Sequence, residues 1–337
     1  MILLLELGLV FFHLLAWVAV GHALLTKRDP RSALGWSVVV LFMPVVGVIA
    51  YAIFGIGRTE SRAAAIMRHN AALAPGYTHP ALGTKVPEQI PEQIRHMEML
   101  GRHLTQQHLC GGNSIEPLVN GNEAYPAMLE AIRRAKDHVY LLTYIFNSGE
   151  VADSFAEELT AAVQRGVDVR ILLDGLGRFY SFRTPVRRIA KAGARVAYFL
   201  PPRLFPPNLM INLRDHRKLL VCDDVAFTGG MNIADYHVVL PGRRHCVQDM
   251  QFCCQGPITR ELRRAFLMDW GFATGKYDTA LPERSPERVG RSLCRIVMDG
   301  PGGSTDPLND LIAGSISNAL KKVRIMTPYF LPSREIY

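Results

Sequence analysis

Arg214-Asp215-His216-Arg217-Lys218-Leu219-Leu220-Val221-Cys222-Asp223, followed by Gly229-Gly230-Met231-Asn232, is the stretch on which fold and chemistry turn. Residues 218–222 form an apolar run of strand type. His216 and Lys218 lie two apart, so in extended chain they point to the same face. Asp223-Asp224 reads as a turn, and residues 225–228 as the returning strand of a hairpin. Gly229 and Gly230 remove side chains where a ligand must approach the backbone, and Asn232 offers an amide just beyond. An imidazole, an ammonium and an amide on one surface suit attack on a phosphodiester without a metal. The imidazole attacks phosphorus while the cation and the amide hold the non-bridging oxygens.

A lone His and Lys beside a strand would more readily be a buried strand with polar residues at its start. The full string H-x-K-x4-D, followed at once by Gly-Gly-x-Asn, reverses that preference. It resembles the HKD motif of the phospholipase D superfamily, and the wording HRKLL and AFTGGMNIAD is most similar to bacterial cardiolipin synthases. The resemblance implies His216 as nucleophile or partner acid, Lys218 and Asn232 on the phosphate, and Asp223 as a supporting carboxylate. It also implies that Asp249, 33 residues past His216, is an acid able to orient a catalytic imidazole. The sequence departs from the family pattern in three places. The turn after Asp223 is one residue short, Gly230 replaces a hydroxyl residue, and Val247 stands where a tryptophan is often found.

The chain has 337 residues, a net charge of +8 and 49% hydrophobic residues, which is room for a membrane anchor plus one or two compact domains. The basic balance suits an anionic partner, either phospholipid headgroups or nucleic acid. Six cysteines show neither a C-x-x-C pair nor disulfide-like spacing and read as buried thiols of a reducing compartment. His245, Cys246, Cys253 and Cys254 make a poor zinc set, so no metal is expected.

Residues 7–26 and 32–57 are uncharged runs of twenty and twenty-six residues, setting aside His13 and His22. At ~1.5 Å per residue each could cross ~30 Å of hydrocarbon. Lys27 to Arg31 would be the loop of a helical hairpin, with Pro44 as a kink in its second arm. The first run lacks the basic start and cleavage site of a signal peptide. Basic residues flank both sides, so charge does not orient the hairpin. The stretches PRSALGW and MPVVGVIAYAIFG resemble the paired anchor helices of cardiolipin synthases, which implies a multi-pass protein of the bacterial inner membrane with its catalytic part on the cytoplasmic face.

Residues 58–114 read as a linker, with helices over 62–73 and 92–108 and proline breaks between them. From residue 115 the pattern is α/β. Helices fall over 125–136, 153–165 and 184–192, and strands over 139–146, 167–173 and 195–199. The expected fold is a mixed, mostly parallel sheet flanked by helices, a first phospholipase D-like half-domain spanning 115–280. Asp174 ends a strand at the sheet's carboxyl edge, as a turn residue or as part of a site. The proline-bounded loop before His216 suits either a lid or a packed connector. A displacement of 184 residues sets Ile132, Ala135, Val139, Thr143 and Phe146 over Ile316, Ala319, Val323, Thr327 and Phe330, so residues 281–337 read as the start of a second repeat. By the same displacement a second H-x-K would fall near position 400, beyond Tyr337.

The reading is a cardiolipin synthase-like phosphatidyltransferase. It would join two phosphatidylglycerol molecules through a phosphohistidine and bind anionic phospholipid without a cofactor. One motif per chain is half of a two-histidine site, so the expectation is an incomplete copy or a site shared between two chains. The alternatives are a single-motif phospholipase or nuclease acting as a homodimer, and a silent lipid-binding membrane protein. A bilayer-fixed enzyme has no need of DNA, so nucleic acid is not expected as a partner.

Overall fold

The computed structural model describes residues 2–27, 30–56, 92–105, 107–177, 185–202, 214–242, 244–277, 286–298 and 307–327. The expected helix over 62–73 and most of the loop before His216 lie outside them. The chain divides into two compact units, residues 1–62 and 63–337.

In the first unit α1 (Ile2–Thr26) packs on α2 (Pro30–Phe42) and α3 (Pro44–Ala50). Their contact face uses small or slim residues: Ala16, Val20, Ala23, Ala33 and Val40 are all buried. A Cβ on Gly47 would sit 2.6 Å from the Val39 carbonyl, so the chain turns back on itself tightly there. The second uncharged run is not one helix. It breaks at Met43, where φ is −132° ahead of Pro44, because proline has no N–H to continue the ladder. A short π-helix, Tyr51–Gly55, follows α3. At 13 residues, α2 covers only ~20 Å. Among the described residues, no helix is long and apolar enough to cross a membrane.

The second unit is built on an eight-stranded sheet. Its strands are β1 (Cys110–Val119), β2 (His138–Thr143), β3 (Asp168–Asp174), β4 (Arg195–Phe199), β5 (Leu219–Cys222), β6 (Val225–Gly229), β7 (Met250–Gln255) and β8 (Ser292–Cys294). They lie in the order β4-β3-β2-β5-β6-β7-β1-β8.

Helices cover both faces. Val139, Leu141, Val169, Ile171 and Leu220 face α5 (Asn120–Arg134), α6 (Glu150–Gln164) and α7 (Val186–Lys191). The alternate residues Tyr140, Leu142, Leu172, Leu219 and Val221 face α8 (Ile258–Thr274). This double cover is why β2 and β5 are apolar at nearly every position instead of alternating.

The expectation of a mostly parallel sheet needs correction. Of seven strand pairings among the described residues only β2–β3 and β3–β4 are parallel. Helix–strand alternation governs only residues 138–199. Beyond it the chain adds β5 antiparallel to β2, turns through Asp223-Asp224 into β6, and continues antiparallel to the edge.

Residues 92–105 form α4 (Glu92–Thr105), which packs on α9 (Pro307–Ser317), and its Glu98 makes a buried ion pair at 3.0 Å with Arg295, the residue after β8. Residues 318–327, where the displaced repeat expects helix end and strand, have no regular structure, and Leu320 and Met326 are exposed.

Candidate active site

The motif's polar residues gather at one edge of the sheet. Because β5 runs antiparallel to β2, its start lies at the carboxyl ends of β2 and β3. His216 and Lys218 sit there just ahead of Leu219, and the end of β6 comes alongside. Thr228 donates its hydroxyl to the Lys218 carbonyl at 3.1 Å. Lys218 Nζ in turn donates to the His216 carbonyl and lies 5.8 Å from the centroid of the Tyr144 ring. Tyr144 follows the last residue of β2. Its ring stacks on the His216 imidazole with centroids 4.6 Å apart and planes 15° from parallel.

Asn232 is tied to the same corner. Its Oδ1 accepts the Ile145 N–H at 3.1 Å, and the residue's own N–H donates to His237 Nε2 at 3.3 Å. With the amide oxygen occupied, Nδ2 is the end that can donate to a ligand. His237 is buried beneath this loop, and burial lowers its pKa. A phosphate in the corner would meet an imidazole, an ammonium and a carboxamide N–H.

Burial holds the His216 pKa below its ordinary value, and the Lys218 charge pushes the same way against Asp174 and Asp215. Lys218 is itself drawn down by burial, with Asp215, Asp249 and Asp174 opposing. A depressed imidazole is the neutral, nucleophilic form near pH 7.

The segment entering the site is anchored by buried carboxylates. Asp174 Oδ1 accepts the N–H groups of Leu176 and Gly177 at 2.8 and 3.3 Å, closing the turn after β3. Its Oδ2 accepts the Asp215 N–H at 3.2 Å, and Arg214 Nη1 lies 3.6 Å from Oδ1. Asp174 is therefore a turn residue that also positions the chain beside His216. On the face opposite His216 and Lys218, Arg217 makes a two-pronged bond to Asp269 of α8 at 2.7 and 2.6 Å. Asp215 Oδ1 accepts the Arg217 N–H at 3.0 Å. Burial raises the Asp269 pKa to about 7, with the Asp215 charge second, and burial also raises Asp215.

Three sequence expectations land elsewhere. Asp223 occupies the far end of β5, where its carboxylate accepts the N–H groups of Lys136, Asp137 and His138 at 2.8, 3.1 and 2.9 Å. It fastens the connection between α5 and β2 and has no place beside His216. Gly229 and Gly230 are bare because β7 needs the room: a Cβ on Gly229 would strike Gln251, and one on Gly230 would strike the Asp249 carboxylate. Asp249 accepts the Met250 N–H at 2.7 Å and acts electrostatically on Lys218 and His237. Among the described residues no hydrogen bond from Asp249 reaches the His216 ring. Tyr144, Arg217, Asp269 and His237 were not singled out from the sequence. The i, i+2 spacing of His216 and Lys218 did imply that Arg217 faces the other way, toward whatever covers the opposite face.

The family model described as cardiolipin synthase, PLD-like domain, matches residues 128–270, which contain all of this corner. The chain is similar to the bacterial cardiolipin synthases of the phospholipase D superfamily. Cardiolipin synthases are phosphatidyltransferases, and the chain is an enzyme of that class. A second family model, phospholipase D-nuclease N-terminal, matches residues 14–55. The major cardiolipin synthase ClsA of Bacillus subtilis is 26% identical over 97% of this chain and 70% of its own length. Cardiolipin synthase 2 of Bacillus anthracis is 29% identical over 93% of this chain and 62% of its own. Among solved structures, phosphatidylserine synthase of Haemophilus influenzae aligns with 67% of this chain and 58% of its own at 15% identity and a TM-score of 0.44.

Proposed function

We propose that this chain condenses two phosphatidylglycerol molecules through a phosphatidyl-His216 intermediate. The observation that carries the proposal is the corner itself: an imidazole whose pKa burial depresses, with Lys218 two residues on and the Asn232 amide beside it. A ring-nitrogen lone pair attacks phosphorus, the bond from phosphorus to the headgroup glycerol oxygen breaks, and that oxygen leaves with a proton as glycerol. The primary hydroxyl of a second phosphatidylglycerol then attacks. The phosphorus–nitrogen bond breaks, its electron pair returns to the imidazole, and the hydroxyl proton passes to a base. One phosphodiester is lost and one is made, so no nucleotide has to drive the exchange.

Lys218 keeps two N–H donors for the non-bridging oxygens, and Asn232 Nδ2 supplies a third contact. The acid for the leaving glycerol must stand on the far side of phosphorus. We assign it to a second imidazole in an H-x-K setting, carried on another half-domain of the same polypeptide or on a partner copy.

We further propose that residues 1–57 insert in the inner membrane and hold the site at the cytoplasmic surface, where phosphatidylglycerol headgroups are presented. Support comes from the apolar side chains that face outward all round the unit: Val10, Leu14, Trp17, Val18 and Leu25 of α1, and Leu34 and Phe42 of α2, are each more than half exposed. An apolar surface of that extent is what a bilayer would cover.

The full chain in phosphatidylglycerol micelles tests the reaction. Glycerol release with cardiolipin formation, both lost in His216→Ala together with any label trapped from a radioactive phosphatidyl donor, is the expected result. Turnover or trapping that survives His216→Ala overturns it.

A further inference from the structure

We infer that Tyr144 is a positioning residue for the nucleophile: its ring fixes the plane of the His216 imidazole and keeps water off one face. The inference rests on His216 being the attacking group.

An imidazole that must present one nitrogen to phosphorus is commonly held by a hydrogen bond from a carboxylate to its other nitrogen. Here the carboxylates around the site are engaged elsewhere, Asp215 first: its Oδ1 accepts the Arg217 N–H. Asp174 closes the turn after β3 and holds the Asp215 N–H. Asp249 caps the start of β7 over Gly230. What touches the His216 ring is the flat face of Tyr144, at 4.6 Å and 15°. A parallel stack at that distance lets the imidazole slide a little but resists tilting. Tilting is the motion that would swing a ring nitrogen out of line with the leaving oxygen, and small misalignments are costly at a reacting centre.

Tyr144 is itself held firmly by its backbone. On one side Thr143 ends β2 with every residue of that strand buried, and its hydroxyl donates to the Ile145 carbonyl at 3.0 Å. On the other, Ile145 N–H is bonded to Asn232 Oδ1, and Phe146 pairs with Ile233. Gly177 presses against the Tyr144 carbonyl so closely that a Cβ there would collide with it. The two elements flanking the phosphate corner, the motif strand and the Asn232 loop, are thus registered to each other through residues 143–146. A tyrosine that merely filled space would need none of that registration to His216.

The charged groups that face His216 are Arg214, Asp215 and Lys218 on its own segment and Asp174 from the end of β3, while Asp249 acts through Lys218. Replacing Tyr144 changes none of these charges. It re-wets one face of the ring and so relieves the largest cause of the depressed His216 pKa, which is burial.

The test compares Tyr144→Phe and Tyr144→Leu with the parent chain, in micelles and full length. Tyr144→Met is the second variant should the leucine form fail to fold. Histidine-labelled protein is titrated by NMR, with the His216 resonance identified by its loss in His216→Ala. The expected result is that phenylalanine leaves the titration in place. Leucine or methionine moves it upward toward the ordinary histidine value of about 6.5. In turnover, phenylalanine stays within about three-fold of the parent while leucine lowers kcat by about ten- to thirty-fold with KM nearly constant. A His216 titration that does not move in Tyr144→Leu and Tyr144→Met, or a rate loss lying wholly in KM, overturns the inference. Turnover that survives His216→Ala overturns the phosphohistidine reading instead, and the two failures are told apart because the titration needs no catalysis.

Discussion

At the scale of single residues, the motif's members divide into those that gather at the corner proposed to take the phosphate and those that hold the chain. In the proposed reaction His216 must be neutral to attack, and its folded pKa is depressed by burial and by Lys218. The acid limb of kcat/KM therefore lies below the ordinary histidine value of about 6.5. A pH–rate profile with its acid limb at or above that value contradicts the assignment. Asp223 belongs to the other group. It accepts three backbone N–H groups at a turn whose φ of +48° asparagine tolerates better than alanine. Asp223→Asn should cost about 1–2 kcal/mol and Asp223→Ala about 2–4 kcal/mol, read by urea unfolding, with kcat per folded molecule within about two-fold of the parent. A loss of kcat at full stability would return Asp223 to the chemistry. The sequence made His216, Lys218 and Asn232 legible because their spacing places them on one face of the hairpin. It could not separate Asp223 from them, since a carboxylate one strand-length from a histidine fits either end of the strand.

At the scale of elements, the junction between β5 and α8 decides how the motif is presented. Arg217 faces two buried carboxylates, Asp215 and Asp269, so one guanidinium neutralises one of them and the other is better off protonated. Both folded pKa values are raised above the unfolded range. The stabilisation from the shared proton is accordingly full below about pH 4 and is lost as pH rises through about 7. Stability curves should fall across that window by an amount on the order of 2–4 kcal/mol, and the fall should flatten in Asp269→Asn. A wild-type curve that rises over the same range rejects the assignment. Arg217→Met leaves the two carboxylates facing each other without a cation, and should destabilise by about 3–5 kcal/mol near neutral pH. The hairpin and all three strands over 138–199 were readable from apolar runs bounded by turns. Strand direction beyond β4 was not. Helix–strand alternation encodes parallel return only where a helix makes the crossover, and no helical period stands between Phe199 and Leu219.

At the scale of the whole molecule, the family resemblance was legible from a short polar string, and a separate apolar helical unit at the start of the chain from uncharged length. The break in the second arm was half legible. Pro44 announced a bend, but the further turn into the π-helix at Tyr51–Gly55 depends on Gly47 seating against the Val39 carbonyl and on the Tyr51 hydroxyl meeting His22 at 2.8 Å. Two physical attachments to a membrane then compete. With a net charge of +8 the chain could be held by anionic headgroups alone, and that attraction is screened when the Debye length shrinks to about 3 Å in 1 M salt. An inserted apolar hairpin is indifferent to salt and yields only to detergent. Membranes carrying the full chain, washed in 1 M salt and then at alkaline pH, should keep the protein in the pellet until detergent is added. Replacing Leu14, Val18 and Leu25 together by asparagine places amides on the outward face of α1, where all three side chains are exposed and no core contact is lost. That variant should keep the folded second unit yet move into the salt or alkaline wash. Release of the parent chain by salt alone would mean that its charge does the holding and that the hairpin's apolar face is covered by something other than lipid.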